Sequence, residues 1–154
     1  FPQGDAIEPL PSSWSTTKDD IANANPYPLW RDPQNNIHSL QWESLDLASD
    51  LVKNALAVAD NDDSKKYANI SRLLLDRAFH SDQMWWASKR PWWDINMIAN
   101  GLFELFKVVL NAYRAIKVSG TDDEAKKEYY YSVCAANDRR ARIIDNLFGI
   151  EVSG

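Results

Sequence analysis

From Ser39 onward, apolar residues recur every three to four positions, the spacing that gathers them on one face of an α-helix. Leu45, Ala48, Val52, Ala55, Leu56 and Ala59 predict a first helix from about Ser39 to Ala59, with Ser39 able to cap it. The run Asp60-Asn61-Asp62-Asp63 then breaks the pattern. A second helix is predicted from about Ser64, with Tyr67, Ile70, Leu73, Leu74 and Ala78 on one face, and its pattern can be followed through Trp86. Ser88-Lys89-Arg90-Pro91 marks the next boundary, because proline disfavours helix in the residue before it yet suits a first helical position. A third helix runs from there to about Val118 on a wide apolar stripe of Ile95, Ile98, Leu102, Leu105, Phe106, Val109, Tyr113 and Ile116. Ser119-Gly120 is expected to stop it with a left-handed C-terminal residue. Thr121 and Glu124, three residues apart, predict a capping box for a fourth helix that ends near Phe148 and Gly149. Helices of about 20 residues, each ~30 Å long and joined by short polar connections, predict an all-α fold: an antiparallel up-down bundle over residues 39–154.

The first 38 residues follow a different rule. Pro2, Pro9, Pro11, Pro26, Pro28 and Pro33 all fall there, and closely spaced prolines forbid long helices. An extended arm over residues 1–38 is predicted, with one short helical turn between Ser15 and Asn23 capped by Thr17, with Asp20 three residues on. Trp14, Ile21, Tyr27, Leu29 and Trp30 give this arm more large apolar groups than a disordered tail carries. It is therefore expected to pack along the helices or against a neighbouring domain.

Composition narrows the function classes. At 154 residues, 45% hydrophobic and 25% charged, the chain has one domain's length and can bury roughly two-thirds of its unfolded surface. A net charge of −5 argues against nucleic acid as a partner, since phosphate neutralisation needs a cationic face. Arg139, Arg140 and Arg142 sit among acids at helical spacing and read as a solvated, salt-bridged face. No stretch approaches the ~20 uninterrupted apolar residues of a membrane span, so no membrane partner is expected. No signal peptide is visible, which favours a cytoplasmic setting, and a start at Phe1 suggests a trimmed fragment or a mature form. Cys134, the one cysteine, lies beside Ala135 and Ala136 and is expected to be a buried, inert thiol. His38 and His80 lack the spacing of a metal site and read as structural, and no cofactor is expected. No nucleophile elbow, phosphate-cradling loop or dinucleotide fingerprint is present.

The chemistry concentrates in the stretch from His80 to Asp94, which places four of the seven tryptophans within nine residues. A flat indole suits the apolar face of a sugar ring, offers one N–H donor and loses little entropy on binding. Packing is the default role for a single tryptophan; this cluster, interleaved with polar groups, reads as facing a ligand or another domain. Lys89 and Arg90 can stack on indole faces without any ligand. Asp82 and Asp94 are the candidates for a glycosidase-type carboxylate pair. Asp94 also suits a helix N-terminus, where its charge meets the helix dipole. In Glu128-Tyr129-Tyr130-Tyr131 at least one tyrosine must be exposed, which fits the rim of the core.

The stretch Arg77-Ala78-Phe79-His80-Ser81-Asp82-Gln83-Met84-Trp85-Trp86 resembles a pattern in the C-terminal helical region of glycoside hydrolase family 57 proteins, in which a Ser-Asp pair is followed closely by aromatics. Ser12-Ser13-Trp14 is similar to the element that enters that region, and Leu40 to Ala59 corresponds to the long helix between them. The resemblance covers residues 12–117 and departs from the pattern at Lys89-Arg90-Pro91-Trp92-Trp93. It implies a catalytic barrel, with its carboxylates, upstream in the same chain, against which the helical region packs and helps line the substrate cleft. Ser81, Asp82, Trp85 and Trp86 carry over by motif, none as catalytic residues. The expectation is a non-catalytic helical domain supporting a cleft for oligo- or polysaccharide, with Trp85, Trp86, Trp92, Trp93, Asp82 and Arg90 as the sugar platform. Trp14 and Trp30 are further candidates for it. The rivals are a helical protein–protein interaction module and a stand-alone enzyme using Asp82 and Asp94.

Overall fold

The computed structural model describes residues 8–80, 82–90 and 93–152, with side-chain surroundings through residue 149. Among these residues there are six helices and no strand: α1 (Lys18–Ala22), α2 (Asn36–Val58), α3 (Asp62–Ala78), α4 (Asp82–Trp86), α5 (Ile95–Val118) and α6 (Asp123–Val152). Helix α5 is the hub, packing against α2, α3, α4 and α6, while α2 also meets α3 and α6. It is the one described helix long and apolar enough to cross a membrane by length and composition, and here its apolar stripe is spent on these neighbours.

Small residues set the approach of the helices. Ala48 and Ala55 of α2, Ala68 and Ala78 of α3, and Ala112 and Ala115 of α5 are all buried in one core with Leu51, Val52, Leu105, Val108 and Val109. Alanine at a crossing lets helix axes come close, and the larger side chains fill the space beside it. A second cluster lies toward the other end of α5, where Ile37 and Leu40 of α2, Ala87, Ile98 and Leu102 of α5, and Ile143 and Leu147 of α6 meet.

The helix ends correct several expectations. Helix α2 begins three residues before Ser39, because Asn35 rather than Ser39 caps it: the Asn35 carboxamide oxygen accepts from Ile37 N (3.0 Å) and His38 N (3.3 Å). Helix α3 is capped by Asn61, in a reciprocal box with Ser64, and does not continue to Trp86. It stops at Ala78, whose carbonyl accepts from Gln83 Nε2 (2.8 Å), and the chain restarts as the separate helix α4. Helix α5 starts at Ile95 rather than at the proline, since Asp94 accepts from Met97 N (3.0 Å); Pro91 itself lies outside the described residues. At its far end no glycine takes a left-handed conformation. Gly120 serves instead as a close-approach site: its N–H donates to Asp60 Oδ2 at 2.9 Å, and a Cβ there would meet that oxygen at 2.4 Å. Asp122, not Thr121, caps α6 by accepting from Ala125 N (3.0 Å), and the helix continues through Gly149 to Val152.

The N-terminal segment holds the short helix α1, where Thr17 and Asp20 form the capping pair. Pro28 and Leu29 are buried, and Trp30 packs on the main core. Trp42 of α2 donates its indole N–H to the Trp30 carbonyl at 2.8 Å. Cys134 is exposed on α6, not buried as its alanine neighbours suggested, because it falls on the face of the helix away from Val133 and Ala136. Tyr129 packs on the core while Tyr130 and Tyr131 lie exposed.

Candidate functional site: the tryptophan corner and its amide-lined cleft

The link between α4 and α5 is built from backbone and short polar side chains. Ala87 N bonds to Met84 O (3.0 Å), Ser88 N to Trp85 O (3.1 Å) and Asp94 N to Trp86 O (3.2 Å), which folds the chain back on itself. Ser88 Oγ donates to the Arg90 carbonyl (2.8 Å) and accepts from Arg90 N (3.0 Å), spanning Lys89. Lys89 therefore takes a left-handed backbone with φ of 58°, a conformation that costs a side-chain-bearing residue about 1–2 kcal/mol. From α2, the Asn35 carboxamide donates to the Ala87 carbonyl at 2.7 Å and ties the corner to the helix cap.

The predicted platform residues are placed as follows. Trp85, Trp86 and Trp93 are all half-buried. Trp86 and Trp93 lean on the second core cluster, so part of each indole is used in packing. His80 meets Trp86 edge-on, with ring centroids 5.7 Å apart, and Lys89 Nζ stands 5.5 Å from the centre of the Trp93 ring. Asp82 is exposed at the start of α4. Trp92 and Ser81 lie outside the described residues. Among the described residues Arg90 stacks on no indole; it reaches Asp20 of α1 at 2.9 Å and fixes the N-terminal segment to the corner. The Asp20 carboxylate is buried and is held below the usual carboxylate range by the Thr17 N–H and hydroxyl, with Arg90 adding to that effect. Asp94 caps α5 through its carboxylate, and Asp82 is exposed to solvent.

Beside the corner opens a cleft of about 440 Å³. Its walls carry Gln34, Asn35, Asn36 and Asn146 as carboxamides, with Asp32, Lys89 and Arg90 as charged groups. Asn36 Nδ2 donates to Asn146 Oδ1 at 3.1 Å, closing the wall between α2 and α6. Of the predicted site residues that are described, Arg90 alone lines this cleft. The carboxamides were missed because they come from distant parts of the chain, and Asn35-Asn36 carries only a cap signal in the sequence. A second cleft of similar size runs along α2 under Tyr27, Arg31, Trp42, Glu43 and Asp46, with the Arg31 guanidinium 5.2 Å from the Trp42 ring centre.

His38 lies between these features, 1% exposed. Its Nδ1 accepts from Asp32 N at 3.1 Å and its Nε2 faces the Met84 carbonyl at 2.8 Å. A carbonyl only accepts and an amide N–H only donates, so these partners select the neutral Nε2–H ring. Burial pushes the imidazole below its ordinary pKa, against the opposing pull of the Met84 carbonyl and the Asp32 charge. Comparison of the chain with protein-family models, curated proteins and solved structures found no match.

Proposed function

We propose that this chain is a non-catalytic, carbohydrate-facing helical domain of a larger protein. In this reading its four long helices form an antiparallel bundle and residues 1–38 form an arm laid along it. The observation that supports it is the amide-lined cleft beside half-buried indoles. Carboxamides, carboxylates and guanidinium groups present paired donors or acceptors that match the neighbouring hydroxyls of a sugar ring. An indole anchored on one side and open on the other is a platform whose rotamer is already fixed, so little entropy is lost on binding. The partners implied are an oligo- or polysaccharide and a catalytic domain upstream, as the family 57 resemblance suggests.

The test is a titration of the purified chain with α- and β-linked glucans, followed by intrinsic tryptophan fluorescence. Saturable quenching or a blue shift is expected, lost in Trp93→Ala and weakened in Asn36→Ala and Asn146→Ala. A flat response across the panel removes the reading. One observation favours a protein partner instead: Trp14 is 79% exposed and meets Trp30 edge-on, with ring centroids 6.2 Å apart. Exposed tryptophan anchors protein interfaces. Light scattering across concentrations, with Trp14→Ala as the control, separates the two readings.

A further inference from the structure

We propose that His38 is a proton-operated latch: a proton on its ring releases residues 26–35 and the α4 corner from the start of α2. This does not rest on the carbohydrate reading.

His38 sits on the first turn of α2, and each ring nitrogen is bound to a different element. Nδ1 is held by the Asp32 amide of the N-terminal segment, and Nε2 by the Met84 carbonyl of α4. Both partners are main-chain groups, so neither can reverse its polarity. Added acid must place its proton on Nδ1, where it faces the Asp32 N–H. A hydrogen bond is thereby replaced by two opposed donors, and a cation is created where almost no solvent reaches. Asparagine or serine in the same place could rotate to suit; a doubly protonated imidazole cannot.

The charges around the ring decide which way it goes. From the N-terminal segment, the Asp32 carboxylate attracts an imidazolium and Arg31 opposes it. From α2 itself, Glu43 and Asp46 line the cleft that His38 borders, with Glu43 already drawn to Arg139 at 3.1 Å. On α4 the charged side chain is Asp82, which is exposed. Acidic groups thus outnumber cations on the solvent side of the ring. The protonated ring finds its partners by moving outward toward Asp32, which breaks its bond to Met84. Asp32 and Asn35 belong to the wall of the amide-lined cleft, so the same movement opens that cleft.

The remaining ties have a different sensitivity. Trp42 to Trp30 carries no ionisable group, and the Arg90–Asp20 pair persists until a carboxylate held below its ordinary value is protonated. The His38 contacts respond to the ring's own proton, whereas the mooring of α1 through Arg90 answers to the Asp20 carboxylate. The sign is consistent: the ring is neutral in the fold, so its contribution to stability is full above the ordinary histidine pKa and is lost as pH falls through the depressed folded value.

The experiment is an NMR titration of the full chain from about pH 7.5 to 4.5, reading the ring nitrogens of His38 and the backbone amides together. The expected result is an Nε2–H ring at neutral pH, a His38 midpoint below the ordinary histidine value, and amides of residues 26–35 and 84–88 that shift with that midpoint. Amide exchange in those two stretches should speed up by about tenfold or more, with Val109 and Ala112 unaffected. His38→Gln supplies a neutral donor and a neutral acceptor and should abolish the transition. Amides that stay still through the His38 titration, or that move at the same midpoint in His38→Gln, overturn the proposal. If His38→Gln does not fold, coincidence of the wild-type ring and amide midpoints decides the matter.

Discussion

The most informative substitution for the architecture is at Asn35, because one side chain performs two separable jobs. Its oxygen caps α2 by accepting from Ile37 N and His38 N, and its nitrogen donates to the Ala87 carbonyl in the corner. Asn35→Ala removes both. Loss of an N-cap costs about 1 kcal/mol and up to about 2. Loss of the cross-link adds about 0.5–1.5 kcal/mol, since the Ala87 carbonyl keeps no equivalent partner. The sum is about 1.5–3.5 kcal/mol, and at about 2–4 °C per kcal/mol for a domain of this size the Tm falls by about 3–14 °C. Asn35→Asp separates the terms. The carboxylate still caps, and it meets the N-terminus of a 23-residue helix whose first turn holds no acid, which returns about 0.5 kcal/mol. It has no N–H to offer Ala87, so a net loss of up to about 1 kcal/mol, smaller than that of alanine, is expected. Urea unfolding followed by far-ultraviolet circular dichroism reads both variants. If alanine costs less than about 0.5 kcal/mol, or aspartate costs as much as alanine, the two-job account of Asn35 is wrong.

Three further outcomes follow from single positions. Ala24 has a left-handed backbone with φ of 55°, so Ala24→Gly should stabilise by about 0.5–1 kcal/mol in a thermal melt, and a drop in Tm would refute the strain. Gly101 lets α4 approach α5: an added Cβ would meet Gln83 Cβ and Oε1 at 3.0 Å, so Gly101→Val should cost about 1–3 kcal/mol and loosen the Gln83 bonds to Gln41 and Ala78. Faster amide exchange at residues 83–87 in that variant checks it. Because the Asp20 carboxylate is held below its ordinary value, its contribution is present above the usual carboxylate pKa and is lost as pH falls through the lowered one. Asp20→Asn should flatten stability over that acid window and leave the slope near pH 6 untouched; an unchanged acid limb would count against the role of the Arg90 tie.

Periodicity found the long helices but not every buried face: Ile98, Leu102, Leu105, Val109 and Ile116 of the predicted α5 stripe are buried while Ile95, Phe106 and Tyr113 are half-buried, and on α3 the predicted Leu73 is exposed while Ser64, Ala68, Ser71 and Leu75 turn inward. The ends were harder. Ser39 and Thr121 are good caps in isolation, but Asn35 and Asp122 stand close by and win through bonds that depend on where neighbouring elements lie. The break after Ala78 is a tertiary effect, since the carbonyl that would continue the helix is claimed by the side chain of Gln83, a residue whose main-chain carbonyl accepts in turn from Gln41 of α2. Hydrophobic pattern carries no trace of such a claim. The same holds for the cleft, where Asn36 and Asn146 meet across 110 residues of sequence.

The tryptophan corner shows why residue type alone does not separate packing from recognition. Trp86 and Trp93 lean on Ile37, Ile98 and Ile143, yet neither is fully buried. An indole is large enough to fill a core with one edge and to present the other, so the two roles compete only when the ring is wholly enclosed. What distinguishes this corner is the polar cross-linking around the rings: Asn35 to Ala87, Ser88 across Lys89, Arg90 to Asp20, and His38 to Met84. Three of these four ties join α4 or its corner to the N-terminal segment or the start of α2. Each relies on a buried or half-buried polar atom that packing alone does not require. A corner that only closed the core would be cheaper to build from apolar residues. Polar ties are concentrated here, beside a cleft lined by carboxamides, so this is the part of the fold where ligand binding and response to protons are to be tested first.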